Sequence, residues 1–122
     1  ALQTAARIGE KASRIGFDWP NADSVRKKIT EELAEADEAD LQGNTTALAE
    51  EIGDLLFSVA QWARHHNIEP EEALRNTCSK FKKRFAVMEK TAQEDGTSLE
   101  KSNSERLERL WEEAKEKLGG VR

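Results

Sequence analysis

The stretch ITEELAEADEAD, Ile29–Asp40, combines acidic side chains with alanine, leucine and isoleucine at helical spacing. At about 100° per residue, its apolar side chains fall on one stripe of a helix. Glu32 lies inside that stripe and Glu35 lies at its edge one turn later, whereas Glu31 and Glu38 project toward solvent. Because a buried carboxylate is costly unless a positive charge compensates it, solvation alone does not explain Glu32.

A second acidic cluster occurs in AEEIGDLLFSVAQWA, Ala49–Ala63, where most neighbours are apolar. Glu51 and Asp54 lie along one flank of this helix with the same i, i+3 spacing as the first pair. The turn between the two helices, Gln42–Asn44, is short, which predicts an antiparallel hairpin. Such a hairpin can bring two acid pairs to one place, although paired acids at this spacing are also common on exposed helix faces.

Four converging carboxylates need a cation to stay ionised together. Their oxygen ligands, without a nearby thiol or imidazole, favour a hard ion, Mg²⁺ or Mn²⁺ in its place. Neither acid pair has the alternating Asp, Asn and Gly of a calcium loop.

The chain as a whole has a helical composition, and no stretch shows the period-two alternation of a strand. The predicted fold is an all-α helical bundle. Three helices are expected at about Leu2–Ile15, Thr46–His66 and Pro70–Ala92. Another begins at a cap formed by Asn21, Asp23 or Ser24 and extends to about Leu41. The last begins at a capping box of Ser102 and Glu105 and extends to about Leu118, where Gly119 and Gly120 end it.

The length and composition of the chain indicate its domain number, oligomeric state and location. The chain has 122 residues, which predicts a single domain over residues 1–122, and it opens without a methionine, which is compatible with a piece of a longer two-domain chain. Charged residues make up 35% of the chain, so we expect an oligomer whose subunits share a core. The net charge is -5, so we expect no nucleic-acid partner. No membrane segment or secretory leader is recognisable, which predicts a cytoplasmic protein.

Cationic and aromatic side chains accompany the apolar stripes of the last two helices. In SKFKKRFAVME, Lys80 and Arg84 lie one turn apart beside the stripe, where they can either pair with neighbouring acids or bind a phosphate chain. Trp111 and Lys115 share a face of the last helix, which suits either ordinary packing or the wall of a pocket. By contrast, Cys78 lies on an apolar stripe and is interpreted as a core residue.

Five motifs in order resemble the MazG family of all-α nucleoside triphosphate pyrophosphohydrolases. EELAE, Glu31–Glu35, followed by EEIGDLL, Glu50–Leu56, is similar to the EExxE…ExxD signature of that family. GFDWP (16–20), KFKKRF (80–85) and LWEEAKEK (110–117) also resemble MazG segments. The set is most similar to the C-terminal catalytic domain of two-domain MazG proteins.

This resemblance implies hydrolysis of a nucleoside triphosphate to the monophosphate and pyrophosphate in a dimeric helical bundle. It implies Mg²⁺ ligation by Glu32, Glu35, Glu51 and Asp54, triphosphate contacts by Lys80 and Arg84, and nucleotide binding by Trp111 and Lys115. We further hypothesise that Glu35 accepts the proton of the attacking water. Two alternatives stay open: a narrower enzyme acting on dCTP, dUTP or phosphoribosyl-ATP, and a non-catalytic helical dimerisation module.

Overall fold

The structure, a computed structural model, describes residues 1–119 and contains five α-helices and no strand in that range. The helices are α1 (Leu2–Ser13), α2 (Ala22–Leu41), α3 (Thr45–His65), α4 (Pro70–Glu94) and α5 (Ser104–Lys117), with a turn of 3-10 helix at Leu99–Lys101. The prediction of an all-α fold is therefore confirmed. Gly120, predicted to help end the last helix, lies outside the described residues.

The predicted helix boundaries are close to those observed because local interactions set them. The side chain of Asn21 caps α2 by accepting a hydrogen bond from the Ser24 amide at 2.9 Å. Asn44 caps α3 in the same way, and Pro70 opens α4 as predicted. The predicted Ser102 cap is wrong: Asn103 accepts the Arg106 amide at 2.8 Å, so α5 begins one residue later than that cap implied.

The chain divides into two compact units, Ala1–Leu74 and Arg75 onward. In the first unit, α3 packs against both α1 and α2 and is therefore the central helix. The α2–α3 connection turns at Gly43, whose φ of +68° is readily adopted by glycine. The single-domain prediction stays a prediction.

The core of the first unit is small and partly polar. Its buried apolar residues on α2 and α3 are mainly alanines, accompanied by Val25, and the polar side chains of Glu32, Ser58 and Gln61 are buried among them. Leu33, which belongs to the predicted apolar stripe of α2, is exposed instead, as are Ile52, Leu56 and Val59 of α3. Small side chains let the helices approach closely, and the large ones lie on the faces that these contacts leave uncovered.

The second unit has its own apolar core. Met88 and Ala92 of α4 pack with Leu110 and Ala114 of α5. The interpretation of Cys78 as a core residue is wrong, because its side chain is exposed. Within residues 1–119, none of the helices is both long and apolar enough to span a bilayer.

Candidate metal centre and nucleotide site

Three acidic side chains of the α2–α3 hairpin converge on one point. Glu32 and Glu35 come from α2 and Glu51 comes from α3, and one carboxylate oxygen from each lies within 4.8 Å of the other two. The i, i+3 spacing places the first two on one side of α2. The antiparallel return of the chain then brings Glu51 opposite them, a convergence that the short turn between the two helices makes possible.

Burial distinguishes the three carboxylates. The Glu32 residue is only 4% exposed, Glu51 is half-buried and Glu35 is exposed. One oxygen of Glu32 and one of Glu51, the Oε2 atom in each, are buried without a hydrogen-bond partner. Buried acceptors normally find a donor, so two unpartnered carboxylate oxygens beside a third carboxylate form a donor set that fits a hard divalent cation.

Neighbouring charges shift the pKa values of two of these carboxylates in opposite directions. An ion pair with Lys28, whose Nζ is 2.9 Å from Oε1 of Glu32, lowers the pKa of Glu32 against the opposing effect of burial. The pKa of Glu51 is instead raised to about 7, because the carboxylates of Glu35 and Glu32 lie beside it. Between pH 4.5 and about 7, Glu51 thus keeps a proton that an ordinary glutamate would have lost. A cation bound among the three carboxylates would lower this pKa again.

Asp54, the fourth predicted ligand, is one turn after Glu51 on α3. Its side chain is exposed, and it is not part of the group of three whose oxygens lie within 4.8 Å of one another. Its role as a ligand therefore stays a prediction.

The predicted nucleotide-binding residues lie in the second unit. Arg84 is buried, and its guanidinium carbon lies 5.4 Å from the centre of the Trp111 ring, a cation–π contact. Phe81 packs on the same indole at 5.2 Å. Lys80 is exposed on α4, and the half-buried Lys115 pairs with Glu112 at 3.4 Å. Trp111 thus holds Arg84 in a defined orientation.

A polar network around Arg64 was not anticipated from the sequence. Its guanidinium donates to both carboxylate oxygens of Asp18, at 2.7 and 3.0 Å, and to Oε1 of Gln61 at 2.7 Å. Gln61 is fully buried and donates to the carbonyl of Ala5 at 2.6 Å. The network joins α1, α3 and the segment before α2, and the acid within the helix-breaking GFDWP motif was the available signal for it.

His65 also belongs to this network. Its Nε2 atom lies 3.0 Å from Oδ1 of Asp18, and only 12% of its side chain is exposed. Arg64 and His65 together hold the pKa of Asp18 well below its usual value, with Arg64 making the larger contribution.

Aromatic residues beside this network line a cavity. Phe17 and Trp19 border an apolar cavity of about 450 Å³ together with Phe57 and Ile8. Trp62 does not line this cavity and makes an edge contact with the His66 ring, at 5.7 Å between ring centres.

A helical hairpin brings three carboxylates together, and two of them have a buried oxygen without a partner. These features define the class of protein: an all-α domain with a candidate divalent-metal centre. Residues 21–88 match the MazG nucleotide pyrophosphohydrolase domain, which is more than half of the chain. The chain therefore belongs to the MazG family, as its motifs had indicated. The matched segment contains all three clustered glutamates as well as Lys80 and Arg84.

Similar proteins extend the match to nearly the whole chain. It is 46% identical over 115 residues to the nucleoside triphosphate pyrophosphohydrolase/pyrophosphatase MazG of Thermotoga maritima. It is 34% identical over 119 residues to the nucleoside triphosphate pyrophosphohydrolase of Escherichia coli K12. Each alignment covers 94% of this chain, and the chain spans 44% of the length of each relative.

Proposed function

We propose that this chain is a catalytic domain that hydrolyses nucleoside triphosphates to the nucleoside monophosphate and pyrophosphate with the help of Mg²⁺. The observation that carries the proposal is the convergence of Glu32, Glu35 and Glu51 within 4.8 Å, with two buried oxygens that lack partners. Membership of the MazG family supports the reaction type. Mn²⁺ would suit the same oxygen ligands.

In the proposed site, Glu32 and Glu51 would hold the ion, with Glu35 and Asp54 as further ligands. A divalent ion would neutralise charge on the triphosphate and lower the pKa of a nearby water. Water attacks the α-phosphorus, a new P–O bond forms, and the bond from that phosphorus to the bridging oxygen of the pyrophosphate breaks. Glu35, the most exposed of the three clustered carboxylates, accepts the water's proton.

The cationic residues of the second unit are proposed to act on the phosphates. Lys80 and Arg84 stabilise the negative charge that develops on the departing pyrophosphate. Arg84 suits this task because its guanidinium can bind two oxygens and is already oriented by Trp111. Trp111 and Lys115 are proposed to hold the nucleotide itself.

The test is product analysis over a panel of nucleoside triphosphates with Mg²⁺. We expect pyrophosphate and monophosphate, and a loss of turnover of roughly a hundredfold or more in Glu32→Gln. Glu38→Gln, an exposed acid on the same helix, serves as the control and should retain activity. Orthophosphate with diphosphate as products, or wild-type rates in Glu32→Gln, would overturn the proposal.

The same panel separates the alternatives. Turnover confined to dCTP, dUTP or phosphoribosyl-ATP would identify a narrower enzyme. If no triphosphate releases pyrophosphate and Mg²⁺ does not raise the melting temperature, the chain is better described as a non-catalytic dimerisation module.

We also propose that the domain works as a homodimer in the cytoplasm. The large side chains of Ile52, Leu56 and Val59 form an exposed i, i+4, i+7 stripe on α3, and Leu33 is exposed on α2. A second copy of the chain would cover such a stripe with its own apolar face. Leu56→Asp should shift the mass measured by analytical ultracentrifugation toward the monomer, and an unchanged mass would contradict this interface.

A further inference from the structure

The ammonium group of Lys28 sits at the edge of the carboxylate cluster. It lies one turn before Glu32 on α2, and its Nζ atom is 2.9 Å from Oε1 of Glu32. The Lys28 side chain is 39% exposed, whereas that of Glu32 is 6% exposed. A second, longer contact of 3.7 Å links Lys28 to the exposed Glu31. The lysine therefore reaches from solvent onto the buried carboxylate.

The two oxygens of the Glu32 carboxylate have different surroundings. Oε1 faces the lysine, while Oε2 is buried without a partner. In the part of the chain that the structure describes, no other lysine or arginine forms an ion pair with Glu32, Glu35 or Glu51. Lys28 is thus the internal counter-ion of the cluster.

We propose that Lys28 competes with the divalent cation for Glu32 and so weakens metal binding to the nucleotide-free protein. The inference rests on the proposed metal site. A hard ion would bind carboxylate oxygen at about 2.1 Å, so an ammonium on the other oxygen of the same carboxylate would lie only a few ångströms from it. Like charges at that separation repel strongly where one of them is partly removed from water.

Because Lys28 is half-exposed, its ammonium group can leave Glu32 when a metal ion binds there. Its long side chain can turn toward solvent when a metal ion binds, at the cost of its ion pair with Glu32. Lys28 is therefore a positioning residue that sets the affinity of the cluster, and its removal should leave the ligand set itself in place.

The neighbouring residue offers a matched control. Lys27 carries the same charge on the same helix, but it pairs with Asp23 at 3.4 Å and both side chains are largely exposed. Lys27→Met changes the net charge of the protein as Lys28→Met does, without touching the cluster. Lys28→Arg keeps the positive charge at the cluster.

The experiment is calorimetric titration of the nucleotide-free protein with Mg²⁺ at pH 8.5. We expect Lys28→Met to bind Mg²⁺ about tenfold more tightly than the wild type, with Lys27→Met and Lys28→Arg close to the wild type. Unchanged or weaker binding in Lys28→Met, or an equal gain in Lys27→Met, would overturn the proposal. A wild type that binds Mg²⁺ but hydrolyses no triphosphate would instead contradict the proposed function alone.

Discussion

The guanidinium of Arg64 holds both carboxylate oxygens of Asp18, at 2.7 and 3.0 Å, across 46 positions of sequence. This pair fixes the segment before α2 against the end of α3. Because α2 and α3 carry the clustered glutamates, the pair stabilises the hairpin on which the proposed metal centre is built.

Replacing Asp18 by asparagine should reduce the free energy of unfolding by about 2 kcal/mol at neutral pH, since it removes a charged acceptor from Arg64 and His65. The pKa of Asp18 is lowered in the folded protein, so its stabilisation is present above the ordinary value of 3.8 and is lost as the pH falls below it. Urea unfolding at pH 7 and at pH 2.5 should therefore show a difference from the wild type that shrinks in acid. The exposed Asp23, changed to asparagine, is the control.

Gly9 should not tolerate a side chain. A β-carbon at this position would lie 1.8 Å from Oε1 of Gln61 and 2.9 Å from Nε of Arg64. Gly9→Ala should therefore cost roughly 2 kcal/mol or more in urea unfolding, because the buried Gln61 must give up its hydrogen bonds.

Gly53 on α3 provides the contrast for Gly9. A β-carbon there meets nothing within 4 Å, so Gly53→Ala should stabilise the protein by about 0.5–1 kcal/mol through helix propensity. Equal effects of the two substitutions would show that α1 does not pack against Gln61 as described.

Glu51→Gln should make the protein more stable at pH 8 in the absence of divalent ions. The folded-state pKa of Glu51 is raised from 4.5 to about 7, so its favourable contribution is present below pH 4.5 and is lost as the pH rises through 7. The substitution removes that dependence. It should also abolish any rise in melting temperature with Mg²⁺, because it deletes a proposed ligand.

Melting temperatures measured with EDTA and with Mg²⁺ test both effects at once. Glu50→Gln, which changes the adjacent exposed acid, should respond to Mg²⁺ like the wild type. A full Mg²⁺ response in Glu51→Gln would remove this residue from the metal centre.

Arg84→Lys should raise the KM for triphosphates about tenfold or more and should also lower kcat, because Arg84 is proposed to stabilise the departing pyrophosphate. Lysine keeps the charge but loses the planar group that packs on Trp111 and can bind two phosphate oxygens. Lys82→Met, at an exposed position two residues earlier on α4, should leave KM nearly unchanged. If Lys82→Met raised KM as much as Arg84→Lys, the charge of α4 as a whole would matter and the orientation of Arg84 would not.

Much of the helical architecture was predictable because it depends on neighbours in sequence. Caps at Asn21 and Asn44, and proline at the first position of α4, each act within one turn. The burial of Glu32 followed from the same periodicity that aligns apolar residues on α2. Where two adjacent residues could cap a helix, as Ser102 and Asn103 before α5, local pattern alone did not choose correctly.

The candidate site was only partly predictable for the same reason. Sequence spacing placed Glu32 with Glu35, and the short turn brought Glu51 to them, yet only the packing of α2 on α3 determined that Asp54 lies outside the group of three. The tertiary structure likewise determined that Lys28 pairs with Oε1 of Glu32 while Oε2 is buried.

By itself the sequence determined the helices, the Asn21 cap of α2 and the family, since these depend on residues a few positions apart and on ordered motifs. Only the tertiary structure decided that Asp18 pairs with Arg64 and His65, that Gln61 is a fully buried polar residue, and that Leu33 and Leu56 remain exposed. Those outcomes depend on how closely whole helices approach, and the small residues Gly9, Ala36 and Ala60 permit that approach through contacts between distant parts of the chain.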